Sequence, residues 1–199
     1  LLRRVFLDVH APGDVEENAA LRAAALACLL PHRLVDAGAV VALAGAAWVL
    51  AAGEPPRRLD VVLPPRRNLP GTRVVRVHQM HLDPDDVTVR AAVRVTGPVR
   101  TLADLARDRS VREAELRRVA AATGCRAEEV LARLERLSGH RGVAHARRLV
   151  SGWAAGCRTG SVLATPTHHP VGVEHAVHLA DGSDDVSQVG RVGHLEGEP

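Results

Sequence analysis

No lysine, tyrosine or isoleucine occurs in this chain, and its aromatic side chains are limited to one phenylalanine and two tryptophans. With lysine missing, all 26 basic side chains other than histidine are arginine. The three absences together reflect a GC-rich coding bias, so arginine richness alone identifies no nucleic-acid partner; its distribution has to. Cys28, Cys125 and Cys157 are widely spaced and form no C-x-x-C pair. That excludes a disulfide framework and a zinc ribbon and leaves reduced cytosolic thiols as the default. No G-x-x-x-x-G-K, no G-x-G-x-x-G after a strand and no G-x-S-x-G is present, so phosphate-loop, dinucleotide and hydrolase chemistries have no support. The apolar run Val35–Ala52 carries one charge, Asp36, but it is alanine-dominated and holds Gly38 and Gly45. It predicts a core helix, not a membrane span.

What is present is an uneven charge distribution. Residues 151–199 hold two arginines against six acidic residues, leaving 24 arginines against 17 acids in residues 1–150. A basic body with an acidic tail fits a nucleic-acid contact surface followed by a segment that does not join it. At 199 residues the chain accommodates one medium domain with appendages.

The run Arg3–His10 reads as a strand, and its position at the chain's start predicts that a partner element precedes it. Asp14 with Glu17 three residues later predicts a helix start, followed by Leu21, Ala24, Ala25, Cys28 and Leu29 at helical spacing. A second short helix is expected over 40–50, anchored in the core by Trp48. Phe6 is expected to pack rather than touch nucleic acid. Leu59, Val61 and Leu63, then Val75 and Val77, then Val87 and Val89, then Val93 and Val95 alternate as three or four strands of a small, mostly antiparallel sheet. From Pro98 to Val150 the pattern is helical over 98–107, 111–122, 127–137 and 143–150, with breaks at Thr123-Gly-Cys125 and Ser138-Gly-His140.

The most informative stretch is Arg94-Val-Thr-Gly-Pro-Val-Arg-Thr-Leu-Ala-Asp-Leu-Ala106. Gly97 suits an N-cap, Pro98 the first helical position, and Leu102, Leu105 and Ala106 one helix face. Arg100 and Asp104 stand four apart and can pair on the surface of the helix. A cation in the first turn opposes the helix dipole, which demands a partner, either Asp104 or an outside anion.

This R-V-T-x-P-x-R-T-x-x-D-L-A pattern resembles that of the AbiEi-type antitoxins, the DNA-binding repressors of type IV toxin–antitoxin systems. The resemblance extends upstream through Arg58–Pro65, Val75–His78 and Asp83–Val87 and downstream to Val150, about three quarters of the chain. It implies that Leu1–Gly13 is similar to the wing of a winged helix-turn-helix whose recognition helix would precede it. It also implies a tryptophan-containing helix near Trp48 and an Asp-Gly-like hairpin, where this chain has Arg90-Ala-Ala92. Relatives of that kind append a domain similar to very-short-patch-repair endonucleases, opened by an acidic helix. At the matching stretch, Arg158–Ala164, Gly160 and Ala164 replace the two acids that metal-dependent hydrolysis needs.

Candidate contacts come from chemistry and resemblance together. Arg66-Arg67 lies in a proline-flanked loop, with Arg73 and Arg76 beyond it, and Arg3-Arg4 lies in the wing-like segment. Arginines in such places straddle phosphates and give salt-sensitive affinity with little sequence information; the alternative is a solubilising loop. His78 and His81, like His175 and His178, have H-x-x-H spacing, and His168-His169 lie nearby, but no third ligand is visible, so no metal or cofactor is expected.

The expectation is therefore an α+β protein: a remnant wing over 1–13, an AbiEi-like domain over 14–150 and a poorly ordered acidic tail over 151–199. The resemblance implies a non-enzymatic cytoplasmic repressor. It would bind operator DNA through Arg3, Arg4, Arg66 and Arg67, while Arg100, Thr101 and Asp104 fix the central helix against the sheet. Its functional counterpart would be a nucleotidyltransferase-type toxin that it need not touch, and no membrane is involved. The alternatives are a degenerate nuclease and a non-catalytic interaction module or fragment.

Overall fold

Valine-rich strands, alternating or β-branched as a pleated ladder requires, organise the protein. A computed structural model describes residues 1–159, with side chains through residue 154. Strands β1 (Leu2–Phe6) and β2 (Val9–Pro12) form an antiparallel hairpin. Strands β3 (Val40–Ala42), β4 (Leu59–Leu63), β5 (Val75–Gln79), β6 (Val87–Arg90) and β7 (Val93–Thr96) form a sheet of order β5-β4-β3-β7-β6. The ladders β3–β4 and β6–β7 are antiparallel, whereas β4–β5 and β3–β7 are parallel. The class is α+β, with a mixed main sheet.

Helices α1 (Ala19–Ala27), α2 (His32–Asp36), α3 (Leu43–Ala51), α4 (Pro98–Ala106), α5 (Glu113–Thr123), α6 (Ala127–Arg136) and α7 (Val143–Thr159) complete the described residues. Four expectations are corrected. Val40–Ala42 is not the start of a helix but the central strand; its residues are all buried, so the alternation that marks a strand with one wet face is missing. Helix α1 starts at Asn18, whose side chain accepts a hydrogen bond from the Leu21 N–H at 2.9 Å, and not at Asp14. The single strand expected over Arg3–His10 folds back on itself at Leu7, where φ is 47°. Residues beyond 150 do not begin as a tail: α7 continues to Thr159, because Trp153 and Ala154 prolong the buried stripe of Val143, Ala146 and Val150. Most of Arg158–Ala164 and the histidines at 168, 169, 175 and 178 lie outside the described residues.

Two apolar clusters meet at α3. The first joins the hairpin (Val5, Phe6, Ala11), α1 and one sheet face (Val41, Leu59, Val61, Leu63, Val75, Val93, Val95), so residues 1–13 share a core with α1 and the main sheet. Phe6 and Trp48 stack within it, their ring centroids 5.2 Å apart. The second cluster is built from α4, α5, α6 and α7 together with Ala47 of α3. Helix α3 has no basic residue in its own last turn. Arginines from its neighbours serve instead: Arg22 Nη2 donates to the Val49 carbonyl at 3.1 Å, and Arg118 Nη1 donates to the carbonyls of Ala51 and Ala52, both at 2.6 Å. Cations at those terminal carbonyls oppose the negative end of the helix dipole and tie both clusters to one helix.

Candidate functional site

The polar centre of the protein lies where β7 passes into α4. Thr101 Oγ1 donates to the Thr96 carbonyl at 3.0 Å, and the two threonine hydroxyls are 2.7 Å apart, so Thr96 donates to Thr101. Neither residue is exposed, and the pair pins the first turn of α4 to the end of its strand.

Arg100 is buried, not on the surface as its spacing suggested, because every residue of α4 from Arg100 to Ala106 is buried. Its Nε donates to Asp104 Oδ2 at 2.7 Å, and its Nη1 donates to Asp86 Oδ2 at 2.7 Å and to the His81 carbonyl at 3.2 Å. Asp86 ends the 3-10 turn Pro84–Asp86 and receives Arg133 of α6 in a two-pronged contact, Nε to Oδ1 at 2.9 Å and Nη2 to Oδ2. Arg133 Nη2 also reaches Asp83 Oδ2 at 3.2 Å. Arg107 Nη1 donates to Asp104 Oδ1 at 3.0 Å. Three cations thus balance Asp83, Asp86 and Asp104.

Burial disfavours the Asp86 carboxylate, but Arg133, the Asp83 N–H and Arg100 together outweigh it and hold the group below the usual carboxylate range. Burial also works against Arg100, yet Asp104 and Asp86 raise it above its ordinary value. Charges fixed in this way neither give up nor accept protons near neutrality. The contacts of Arg100, Arg133 and Asp86 join α4, α6 and the segment 81–86.

The four arginines expected at phosphates fall into two segments. Arg3 and Arg4 sit on β1 and, as strand neighbours, point to opposite faces. Arg3 donates to Glu17 at 2.8 Å and to the Val15 carbonyl at 2.9 Å; Arg4 is exposed. Arg66 and Arg67 are exposed in the loop 64–74, where Arg66 has a φ of 69°. Among the described residues, Arg4, Arg66 and Arg67 have no acidic partner, and no hydrogen bond or ion pair joins the two segments. Several helix-borne ion pairs instead follow the i,i+3 or i,i+4 rule, as in Arg117–Glu113, Arg118–Glu115 and Arg126–Glu129.

His78 and His81 face different carboxylates. His78 Nε2 lies 2.7 Å from Asp60 Oδ1 on the adjacent strand, and His81 Nε2 lies 3.3 Å from Asp83 Oδ1. Among the described residues no group of three or more His, Cys, Asp or Glu side chains could hold a metal ion, and no helix is long and apolar enough to cross a membrane. The sequence pattern did not reveal Asp86 as a partner of Arg100, or Arg133 as a second cation on Asp86. Arg133 carried a signal, since it lies three residues after Val130 and beside Leu134 on the buried stripe of α6. No protein-family model matches this chain, and no match is found among curated proteins.

Proposed function

We propose that this chain is a non-enzymatic, AbiEi-antitoxin-like repressor that acts in the cytoplasm on the operator DNA of its own operon and offsets a nucleotidyltransferase-type toxin. The observation that carries this reading is the exposure of Arg4, Arg66 and Arg67 without acidic partners among the described residues, in a protein that pairs many of its other arginines. Unpaired guanidinium groups on a hairpin and a loop suit phosphate oxygens, which they bind with two parallel N–H donors. Arg3 can join them, because its pair with Glu17 is more than a third exposed on both sides and such pairs contribute only about 0–1 kcal/mol. The buried charge cluster around Arg100 serves this function indirectly, by fixing the scaffold.

The test is a reporter driven by the DNA upstream of the coding region, with the chain supplied in trans. Repression by the native chain, lost in an R4A/R66A/R67A variant that keeps its thermal stability, supports the reading. Equal reporter output with and without the native chain contradicts it.

A further inference from the structure

The start of the parallel pair β4–β5 carries a second, denser group of arginines. Between Arg57 and Arg76 the sequence holds Arg57, Arg58, Arg66, Arg67, Arg73 and Arg76 against one acid, Asp60. Asp60 is 13% exposed and already faces His78 at 2.7 Å and Arg76 at 3.8 Å. Because the strands run in the same direction with Leu59 beside Val75 and Asp60 beside Arg76, Arg57 and Arg58 are brought to the same end of the sheet as Arg73 and Arg76. Arg66 and Arg67 follow the far end of β4. At ~3.3 Å per residue the strand separates the two groups by about 13 Å, a length over which a DNA duplex presents roughly seven or eight phosphate charges.

The loop that joins these ends is fixed in place. Arg33 Nη2 donates to the Pro70 carbonyl and Arg58 Nη2 to the Thr72 carbonyl, both at 3.3 Å. Thr72 N–H donates to the Val75 carbonyl at 2.8 Å, and Val75 N–H donates to Thr72 Oγ1 at 3.0 Å. Gly71 permits this closure, since a Cβ there would stand 2.3 Å from the Val75 carbonyl oxygen. Between loop and strand lies a groove of about 450 Å³ lined by Arg58, Asn68, Thr72 and Arg76 among others.

We propose that this edge of the sheet, centred on Arg57, Arg58, Arg73 and Arg76, binds the phosphodiester backbone of double-stranded DNA without regard to sequence. The proposal deepens the DNA-binding reading above and rests on it for the class of partner. A duplex fits better than a single strand, because single-strand sites stack bases on exposed aromatic rings. Here Phe6, Trp48 and Trp153 are 2%, 2% and 7% exposed, and tyrosine is absent. Backbone contacts through guanidinium groups carry no base information, so the edge supplies affinity while selectivity lies elsewhere.

The experiment measures binding of the full chain to a labelled duplex of arbitrary sequence, and to one of its strands alone, across 50–200 mM salt. Each phosphate contact contributes about 0.9 to the slope of log K against log salt. An R57A/R58A/R73A/R76A variant is therefore expected to lose about three to four units of slope. The R57A/R73A variant, which removes two side chains with no hydrogen-bond partner among the described residues, is expected to lose close to two units and to fold normally. A control that removes the same charge from elsewhere on the surface, R109A/R112A/R136A/R148A, is expected to keep the native slope. Equal losses in control and edge variants, an unchanged slope in R57A/R73A, or tighter binding of the single strand would overturn the proposal. Failure of the operon reading is separate: it would show as no preference for the chain's own upstream DNA while these slopes stay as expected.

Discussion

Replacing Arg133 by methionine removes one side of a two-pronged ion pair in which both side chains are less than a tenth exposed. The Asp86 carboxylate would be left buried with only Arg100 and the Asp83 N–H as partners. Breaking a buried pair from one side costs about 3–5 kcal/mol, because the remaining charge stays desolvated with less compensation. For a domain of this size each kcal/mol lowers Tm by about 2–4 °C, so a fall of roughly 6–20 °C is expected. Urea unfolding followed by circular dichroism gives the same quantity as a drop in midpoint with unchanged slope. Adding D86N to R133M should recover part of the loss, with a coupling of about 1–3 kcal/mol between the two sites. A loss of less than about 0.5 kcal/mol for R133M, the value of an exposed pair, would refute the description of this cluster as the buried tie between α4 and α6.

Other consequences are equally open to measurement. Asp86 has a lowered folded-state pKa, so its contribution to stability is complete above the ordinary carboxylate range and is lost as pH falls through the folded value. D86N should accordingly flatten the acid limb of the stability profile below about pH 4, and an unchanged limb would contradict this. The β6–β7 turn has Ala91 at φ 44° and Ala92 at φ 64°, the left-handed pair that a type I′ turn requires and that alanine adopts at a cost of about 1–2 kcal/mol each. A91N/A92G should therefore raise the urea midpoint by the equivalent of about 1–2 kcal/mol; a fall would show that the turn has another geometry. Burial, with a smaller contribution from Glu129, pushes the Cys125 thiol up to about 11, whereas Cys28 is exposed. Brief maleimide treatment at pH 7.5 followed by peptide mapping should find Cys28 modified and Cys125 intact. Comparable labelling would mean that the α5–α6 junction opens readily.

The legible parts of the fold were those whose signals are local. Gly97-Pro98 marked the start of α4, and alternating valines marked β4, β5, β6 and β7. Strand β3 was hidden because a central strand buried on both faces shows the same unbroken apolar run as a core helix. The start of α1 was misplaced because Asp14 and Asn18 both present cap chemistry, and tertiary packing selects between them. Glu17 faces Arg3 and Arg22 instead of capping the helix. The pairing of Arg100 with Asp104 was readable from spacing, but the burial of Arg100, its bond to Asp86 and the further bond from Arg133 to Asp86 join positions up to 47 residues apart, which no periodicity encodes. The arginines at the starts of β4 and β5 likewise converge only through the parallel register of the two strands.

The central claim, that this chain recognises operator DNA, is tested most directly by comparing its affinity for the duplex upstream of its own coding region with that for a scrambled duplex of equal length and composition at one physiological salt concentration. A repressor is expected to prefer its own site by about a thousandfold or more. Equal affinity for the two duplexes would contradict operator recognition and leave only the sequence-independent binding assigned to the β4–β5 edge.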